Sequence, residues 1–227
     1  MTIRGLIVDL DNTLYSYAEA HNPAQRELEK YLANRLGQSD QLVRAGLSAS
    51  RLIIKTRLSD TGSSHSRLLY ISEYLQSINC PGHVELALSA ESIYWIKYLD
   101  SMRIDKGVEN FLQTSRHAGY LNILVTDLTS EIQYRKLRIL AIDNLFDVTL
   151  TSEEAGGDKK SGRPEEVLRN RFDVISGFCV GDQPHDHLFQ DSTEFFMKNR
   201  LSLKSSNRAT QTFKDFDALQ KKLFKYS

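Results

Sequence analysis

Apolar residues along the chain gather in two ways, as short continuous runs and as stripes at helical spacing. Runs at 3–8, 121–125, 146–150 and 175–180 are short, apolar or β-branched, and each gives way to polar residues. That is the pattern of strands buried on both faces. Phe195-Phe196-Met197 reads as the start of a fifth strand. Helical patterns lie between the runs. One carries Val108, Phe111 and Leu112 and stops near Gly119, and another starts at Ile132 and ends near Ile142. Strands alternating with helices predict an α/β fold, a Rossmann-like three-layer core around a parallel sheet.

The spacing is uneven. Residues 8 and 121 are much farther apart than a normal connection between strands allows. The excess, about residues 15–103, is almost purely helical in pattern. Leu28, Tyr31, Leu32 and Leu36 form one stripe, Leu68, Ile71, Leu75 and Ile78 a second, and Ile93, Ile96 and Leu99 a third beside Trp95. Gly37, residues 60–64 and Cys80-Pro81-Gly82 break the pattern between them. The expectation is a bundle of about four helices inserted after the first strand. The division is then an α/β core of residues 1–15 and 104–227 and a helical domain of residues 16–103. Residues 201–212 are polar and carry no clear pattern, while residues 215–224 fit a closing helix with Leu219 and Leu223 on its apolar side.

Composition narrows the function by exclusion. The 227 residues carry 29 Lys plus Arg and 29 Asp plus Glu, so bulk charge gives no reason to expect nucleic acid or an anionic membrane. No apolar run approaches the roughly 20 residues that span a bilayer. The N-terminus has no basic start followed by an apolar stretch, and so does not read as a signal peptide. Cys80 and Cys179 are the two cysteines, which suits a reducing cytoplasm rather than a disulfide scaffold. Cys179 sits in an apolar run and reads as a small buried hydrophobe. A monomer and a homodimer are both compatible with the sequence.

The chemistry gathers at the ends of the runs. Asp9-Leu10-Asp11-Asn12-Thr13 follows the first. In extended chain, residues i and i+2 point the same way and lie roughly 6.5–7 Å apart, so Asp9 and Asp11 can face one substrate. Asn12 and Thr13 suit a sharp turn with free N–H groups for a phosphate. Thr126-Asp127 follows the second run, with Asp127 also readable as a turn or cap residue. Lys159-Lys160 lies in a loop after the third, and Gly181-Asp182 through Asp186 follows the fourth. In a parallel sheet these ends share one edge, where ligands bind. Between the helices of the insertion, Ser64 and Ser66 read as helix caps, while His65 and Arg67 are candidates for recognising an anionic substrate group.

This arrangement resembles the haloacid dehalogenase superfamily. The resemblance runs in motif order from residue 3 to about residue 190. Asp9-Leu-Asp11-Asn-Thr13 matches the family's Asp-x-Asp-x-Thr. Thr126 ends a strand as its second motif does, residues 146–159 look like the approach to its motif-three lysine, and Gly181-Asp182-x-x-x-Asp186 fits one form of its fourth motif. The helical insertion resembles the family's cap. By this resemblance Asp9 is the nucleophile that takes the phosphoryl group, and Asp11 is the acid and base. Mg²⁺ is held by Asp9, the backbone carbonyl of Asp11, Asp182 and Asp186, the last directly or through water. Thr126 and Lys159 hold the phosphoryl oxygens. An acid at position 11 favours phosphate chemistry over dehalogenation, because a halide leaving group needs no proton. The implied substrate is a small phosphomonoester, and family frequency points to a sugar phosphate.

The chain departs from the pattern in two places. Lys159-Lys160-Ser-Gly precedes Arg163-Pro164 where the family writes Lys-Pro, so either lysine can serve, with the count favouring Lys159. After motif four comes His187-Leu-Phe-Gln-Asp-Ser rather than a helix of small residues, which leaves the role of Asp186 open. His185 and His187 flank Asp186 and offer a transition-metal alternative. A phosphomutase or phosphotransferase with the same intermediate, and a regulatory member with weak turnover, are the competing functions.

Overall fold

The computed structural model describes residues 2–172, 174–199 and 211–224. The chain begins with β1 (Thr2–Val8) and then runs through four helices, α1 (Tyr17–Leu36), α2 (Asp40–Arg57), α3 (Arg67–Ser77) and α4 (His83–Ser101). It continues as α5 (Val108–His117), β2 (Leu121–Thr126), α6 (Ser130–Leu140), β3 (Val148–Thr151) and the single turn α7 (Ser152–Ala155). The remainder is α8 (Arg163–Arg171), β4 (Val174–Gly181), β5 (Thr193–Lys198), β6 (Gln211–Phe213) and α9 (Phe216–Leu223).

The six strands pair in parallel in the order β3-β2-β1-β4-β5-β6. Strand alternation sends successive side chains to opposite faces. Leu6 and Val8 of β1 join Leu124, Val180 and Phe196 in one core, together with Phe111, Leu137 and Phe216 from the helices. Ile7 joins Ile123, Val125 and Cys179 in the other, with Leu168 and Phe189. Both faces of the sheet are therefore covered, which is why its strands read as unbroken apolar runs.

β1 and β4 are the central pair, and they approach closely at Gly5 and Gly177, which are register partners. Gly177 has φ +137°, and a Cβ there would lie 2.2 Å from the carbonyl oxygen of Gly5. Only glycine fits.

The helical segment packs on itself, α1 against α4 and α2, and α3 against α2 and α4. The chain leaves the core and rejoins it at one place. Tyr15 and Ile104 form an antiparallel bridge, and the N–H of Asp105 donates to the carbonyl of Leu14 at 2.9 Å.

The expected α/β fold and parallel sheet are present, and the outer elements differ in detail. β3 starts at Val148 rather than 146, because the Asp147 carboxylate turns aside to accept the N–H of Asn122 (2.8 Å) and to pair with Arg116 (3.1 Å). β6 is a sixth strand in a stretch read as polar. Its three residues carry no alternation and are held by pairing with β5. Residues 201–210 of that stretch lie outside the described residues. The closing helix is α9, capped by Asp215, whose carboxylate accepts the N–H of Ala218 at 2.8 Å. Among the described residues no helix is long and apolar enough to cross a membrane.

Gly177→Ala is expected to cost about 3 kcal/mol through overpacking against β1. Gly37→Ala, also at positive φ but facing open space, should cost only about 1 kcal/mol. Urea denaturation of the two variants measures the difference, and equal losses would mean that the β1–β4 approach is not tight.

Candidate active site

Asp9 stands one residue past β1, and its N–H donates to the carbonyl of Val180 at 2.9 Å, extending the β1–β4 ladder by one bond. The chain then turns sharply, with Asn12 in the left-handed region (φ 64°) that Asn tolerates better than most residues. Inside this turn the Thr13 hydroxyl donates to Asp9 Oδ2 at 2.9 Å. Asp9 is only 6% exposed, so both its oxygens must be satisfied by neighbours.

Its other oxygen meets Lys159. Asp158 caps the short turn Lys159–Ser161, and the N–H of Lys159 donates to Asp127 Oδ1 at 3.0 Å. These contacts tie the loops after β2 and β3 together and aim the ammonium inward. Lys159 Nζ lies 2.5 Å from Asp9 Oδ1 and 2.6 Å from Asp186 Oδ1. Lys159, rather than Lys160, is therefore the lysine at Asp9. Lys160 is exposed and lines the wall of the cavity above.

The loop after β4 supplies two more acids. Asp186 Oδ2 accepts the N–H groups of Asp182 (2.9 Å) and Gln183 (2.8 Å). Gly181 makes this possible, since a Cβ there would lie 2.2 Å from that of Asp186. Asp182 Oδ2 accepts from the side-chain amides of Asn12 (2.8 Å) and Gln183 (3.0 Å). Thus Asn12 holds Asp182, and Asp186 holds its own loop.

Carboxylate oxygens of Asp9, Asp182 and Asp186 all lie within 4.8 Å of one another. Burial raises the pKa of Asp9 well above its ordinary value; Lys159 opposes the shift, and Asp186 and Asp182 add to it. Asp182 is raised too, chiefly by burial. Three crowded acids share one lysine, and a divalent cation would relieve the excess negative charge. The donors are all oxygen, which suits Mg²⁺. The histidines beside Asp186 do not join the cluster. His187 stacks on Phe195, with Nε2 3.0 Å from the carbonyl of Thr193, and His185 lines the cavity.

Asp11 has a separate set of partners that the sequence analysis missed. Its Oδ1 accepts from Lys136 at 2.6 Å and from the Tyr15 hydroxyl, and its Oδ2 accepts from Gln133 at 2.9 Å. These donors hold the Asp11 carboxyl below its ordinary value against burial, which acts the other way. The Gln133 amide also donates to the Thr126 hydroxyl (2.6 Å) and the Asp127 carbonyl (2.7 Å). Thr126 is fully buried and turned toward Gln133. Lys136 is 2% exposed and lies over the rings of Trp95 and Tyr98. One signal was available: Ile132, Gln133, Lys136, Leu137 and Leu140 share the buried face of α6, so two polar residues interrupt an apolar stripe.

Above these groups is a cavity of about 430 Å³ between the sheet edge and the helical segment. Asp9, Asp11, Lys136 and Lys159 line its floor, and Tyr17, Arg67, Tyr94 and Tyr98 are among the residues of its roof. His65 and Arg67 both line it. Burial and Lys55 lower the His65 pKa to about 4, so the ring is neutral at pH 7. Its Nδ1 accepts from Lys55 at 3.4 Å. Arg67 donates to the Tyr17 hydroxyl at 2.6 Å and lies over Tyr94.

No protein-family model matches the chain. A ribulose-1,5-bisphosphate 5-phosphatase from Halopiger xanaduensis is 31% identical over 181 residues, covering 78% of this chain and 75% of that protein. A HAD phosphatase from Thermococcus onnurineus superposes with a TM-score of 0.70 at 18% identity over 98% of each chain. A HAD-hydrolase from Bacillus subtilis bound to magnesium superposes with a TM-score of 0.68 at 15% identity, covering 98% of this chain and 99% of that one. The curated relative and the shared fold carry the same conclusion as the motif order: the chain belongs to the haloacid dehalogenase superfamily of hydrolases, in its phosphatase branch.

Proposed function

We propose that the protein is a Mg²⁺-dependent phosphatase that hydrolyses a small phosphomonoester, a sugar phosphate, through an aspartyl phosphate on Asp9. The observation that carries this reading is the buried Asp9 carboxylate, bonded to Lys159 and Thr13 and facing the cavity beneath the helical segment. Residues 1–15 and 104–227 are the catalytic core, and residues 16–103 are a cap that limits access and excludes water. The relative that acts on ribulose 1,5-bisphosphate supports the sugar phosphate class. Two free cysteines, one of them buried, fit a reducing cytoplasm.

Asp9, Asp182, Asp186 and the Asp11 carbonyl would hold Mg²⁺, as the all-oxygen donor set and the magnesium-bound relative support. Bound there, the ion would supply charge neutralisation, so that an anionic nucleophile could approach an anionic ester. An Asp9 oxygen attacks phosphorus as the ester oxygen leaves, and that oxygen takes the proton of Asp11. A water then attacks the phosphorus of the aspartyl phosphate and gives its proton to the Asp11 carboxylate, releasing phosphate and restoring both acids. An arriving phosphate dianion raises the Asp11 pKa by like-charge repulsion, which offsets the lowering by Lys136. Lys159 and the N–H groups of the turn after β1 hold the transferring oxygens. Thr126 acts by holding Gln133, and Asp127 by holding Lys159, while Lys160 stands at the rim.

Phosphate release from a panel of sugar phosphates should need Mg²⁺, stop with chelator and return when Mg²⁺ is added back. Asp9→Asn should lower kcat by at least about a thousandfold while the protein stays folded. Turnover that survives Asp9→Asn would end the aspartyl phosphate mechanism. Transfer of labelled phosphate to a second sugar carbon instead of water would replace the hydrolase with a mutase.

Lys136→Met tests the partner of Asp11. It leaves a buried carboxylate without its cation, and should cost about 2–3 kcal/mol of stability, below the range for fully buried pairs because Asp11 is 26% exposed. Stability lent by a depressed carboxylate pKa is present above its unfolded value and lost as pH falls through the folded one. The difference between wild type and Lys136→Met should therefore shrink from pH 7 toward acid, as urea midpoints across pH will measure.

A further inference from the structure

The catalytic machinery occupies the floor of the cavity and leaves a group of cations at its far side without a function. Arg51 and Lys55 stand one turn apart on α2, Arg67 begins α3, and Lys160 comes from the loop after β3. All four line the cavity. Among the described residues none of them lies within ion-pairing distance of a carboxylate, whereas Lys136 pairs with Asp11 and Lys159 with Asp9 and Asp186.

The four do not merely share a surface. Burial lowers the Lys55 pKa, and Arg51, Lys160 and Arg67 lower it further, with Asp158 opposing. Asp158 is itself occupied, accepting the N–H of Ser161 at 3.2 Å. Like charges brought together in a partly dry cavity raise the free energy of the empty protein, and an anion placed among them would recover it. His65 fits the same purpose. Its Nδ1 accepts from Lys55, which leaves Nε2–H as a neutral donor in the cavity. Arg67 is steadied by Tyr17 and by the face of Tyr94, an arrangement that aims a guanidinium without neutralising it.

We infer that Arg51, Lys55, Arg67 and Lys160, with His65 as a neutral donor, form a second anion site that holds a non-reacting phosphate, so that the substrate is a sugar bisphosphate with one phosphate at Asp9 and the other under the cap. The inference rests on the phosphatase reading for which phosphate reacts, but the site itself is a matter of binding. The cavity of about 430 Å³ lies within the range of small-ligand sites. A substrate with charge at both ends is oriented by the two poles, because only its reacting end meets Asp9 and Mg²⁺.

The test compares sugar bisphosphates of three, five and six carbons, each against the single-phosphate sugar that keeps the reacting phosphate. For at least one pair, kcat/KM should favour the bisphosphate by about tenfold or more. Arg51→Ala and Lys55→Gln should each cut that preference by about tenfold, mainly through KM. Arg51 is exposed, so its replacement does not threaten the fold. Calorimetry on Asp9→Asn with Mg²⁺ measures binding of the same pairs without turnover. If nothing is hydrolysed but bisphosphates bind more tightly, and Arg51→Ala in that background removes the difference, the phosphatase reading falls and the second site stands. If no pair shows a preference in either measurement, or if the variants weaken both members of a pair equally, the second site is refuted.

Discussion

Lys159 is the charge on which the cluster of acids at the sheet edge depends. Three carboxylates whose oxygens lie within 4.8 Å of one another cannot share a buried space unaided. At an effective dielectric of about 20, each like pair near 4 Å repels by roughly 4 kcal/mol. Lys159 touches two of the three, and its position is fixed from both sides, by the Asp158 cap and by the bond from its N–H to Asp127. The loops after β1, β3 and β4 are thus joined through one ammonium, and the loop after β2 through the backbone N–H of the same lysine. The glycines at 177 and 181 act in the same direction. One lets β1 and β4 meet, and the other lets Asp186 fold back beneath its own loop.

Asp11 is governed by different neighbours, and so two acids two residues apart acquire opposite tendencies. Asp9 is pushed up by burial among other acids, while Asp11 is pulled down by Lys136, Tyr15 and Gln133. The Tyr15 hydroxyl donates to Asp11, so the hydroxyl of Tyr98 on α4, 2.6 Å away, must donate to Tyr15. Lys136 lies over Trp95 and Tyr98 of the same helix. Asp11 is therefore linked, through one tyrosine and one lysine, to the helical segment above it. A shift of α4 would therefore reach Asp11 only through Tyr15 and Lys136, the residues that Tyr98 and Trp95 touch.

Much of this was legible in the chain because it is local. Buried parallel strands announce themselves as apolar runs, and the residues after them fall on one edge by topology alone, which brings Asp9, Lys159, Asp182 and Asp186 together. The partners of Asp11 were harder to read, because Gln133 and Lys136 show only as two polar interruptions in the apolar stripe of α6, and what they bond to is set by the sheet. Lys136 in particular looks like a solvated lysine until its neighbours are seen. The three-residue β6 has no pattern of its own, and exists because β5 offers an edge. His65 and Arg67 were read as single candidates from their loop, whereas Arg51 and Lys55 were hidden in an ordinary amphipathic helix.

The cavity is consequently a field with two poles rather than a uniformly charged pocket. At one pole, the acids Asp9, Asp182 and Asp186 outnumber the lysine that pairs two of them, an arrangement that suits the proposed metal ion and reacting phosphate. At the other, Arg51, Lys55, Arg67 and Lys160 stand outside ion-pairing distance of any described carboxylate, an arrangement that suits the proposed anion that does not react. Interactions with a remote group of the substrate act on orientation, and orientation at the reacting centre is worth several kcal/mol of barrier. The helical segment bears most of the second pole and roofs the first, so an anion held at the far end would tie α2 and α3 to the core. On the proposed reading, the attraction that selects the substrate is then the one that keeps the roof over Asp9.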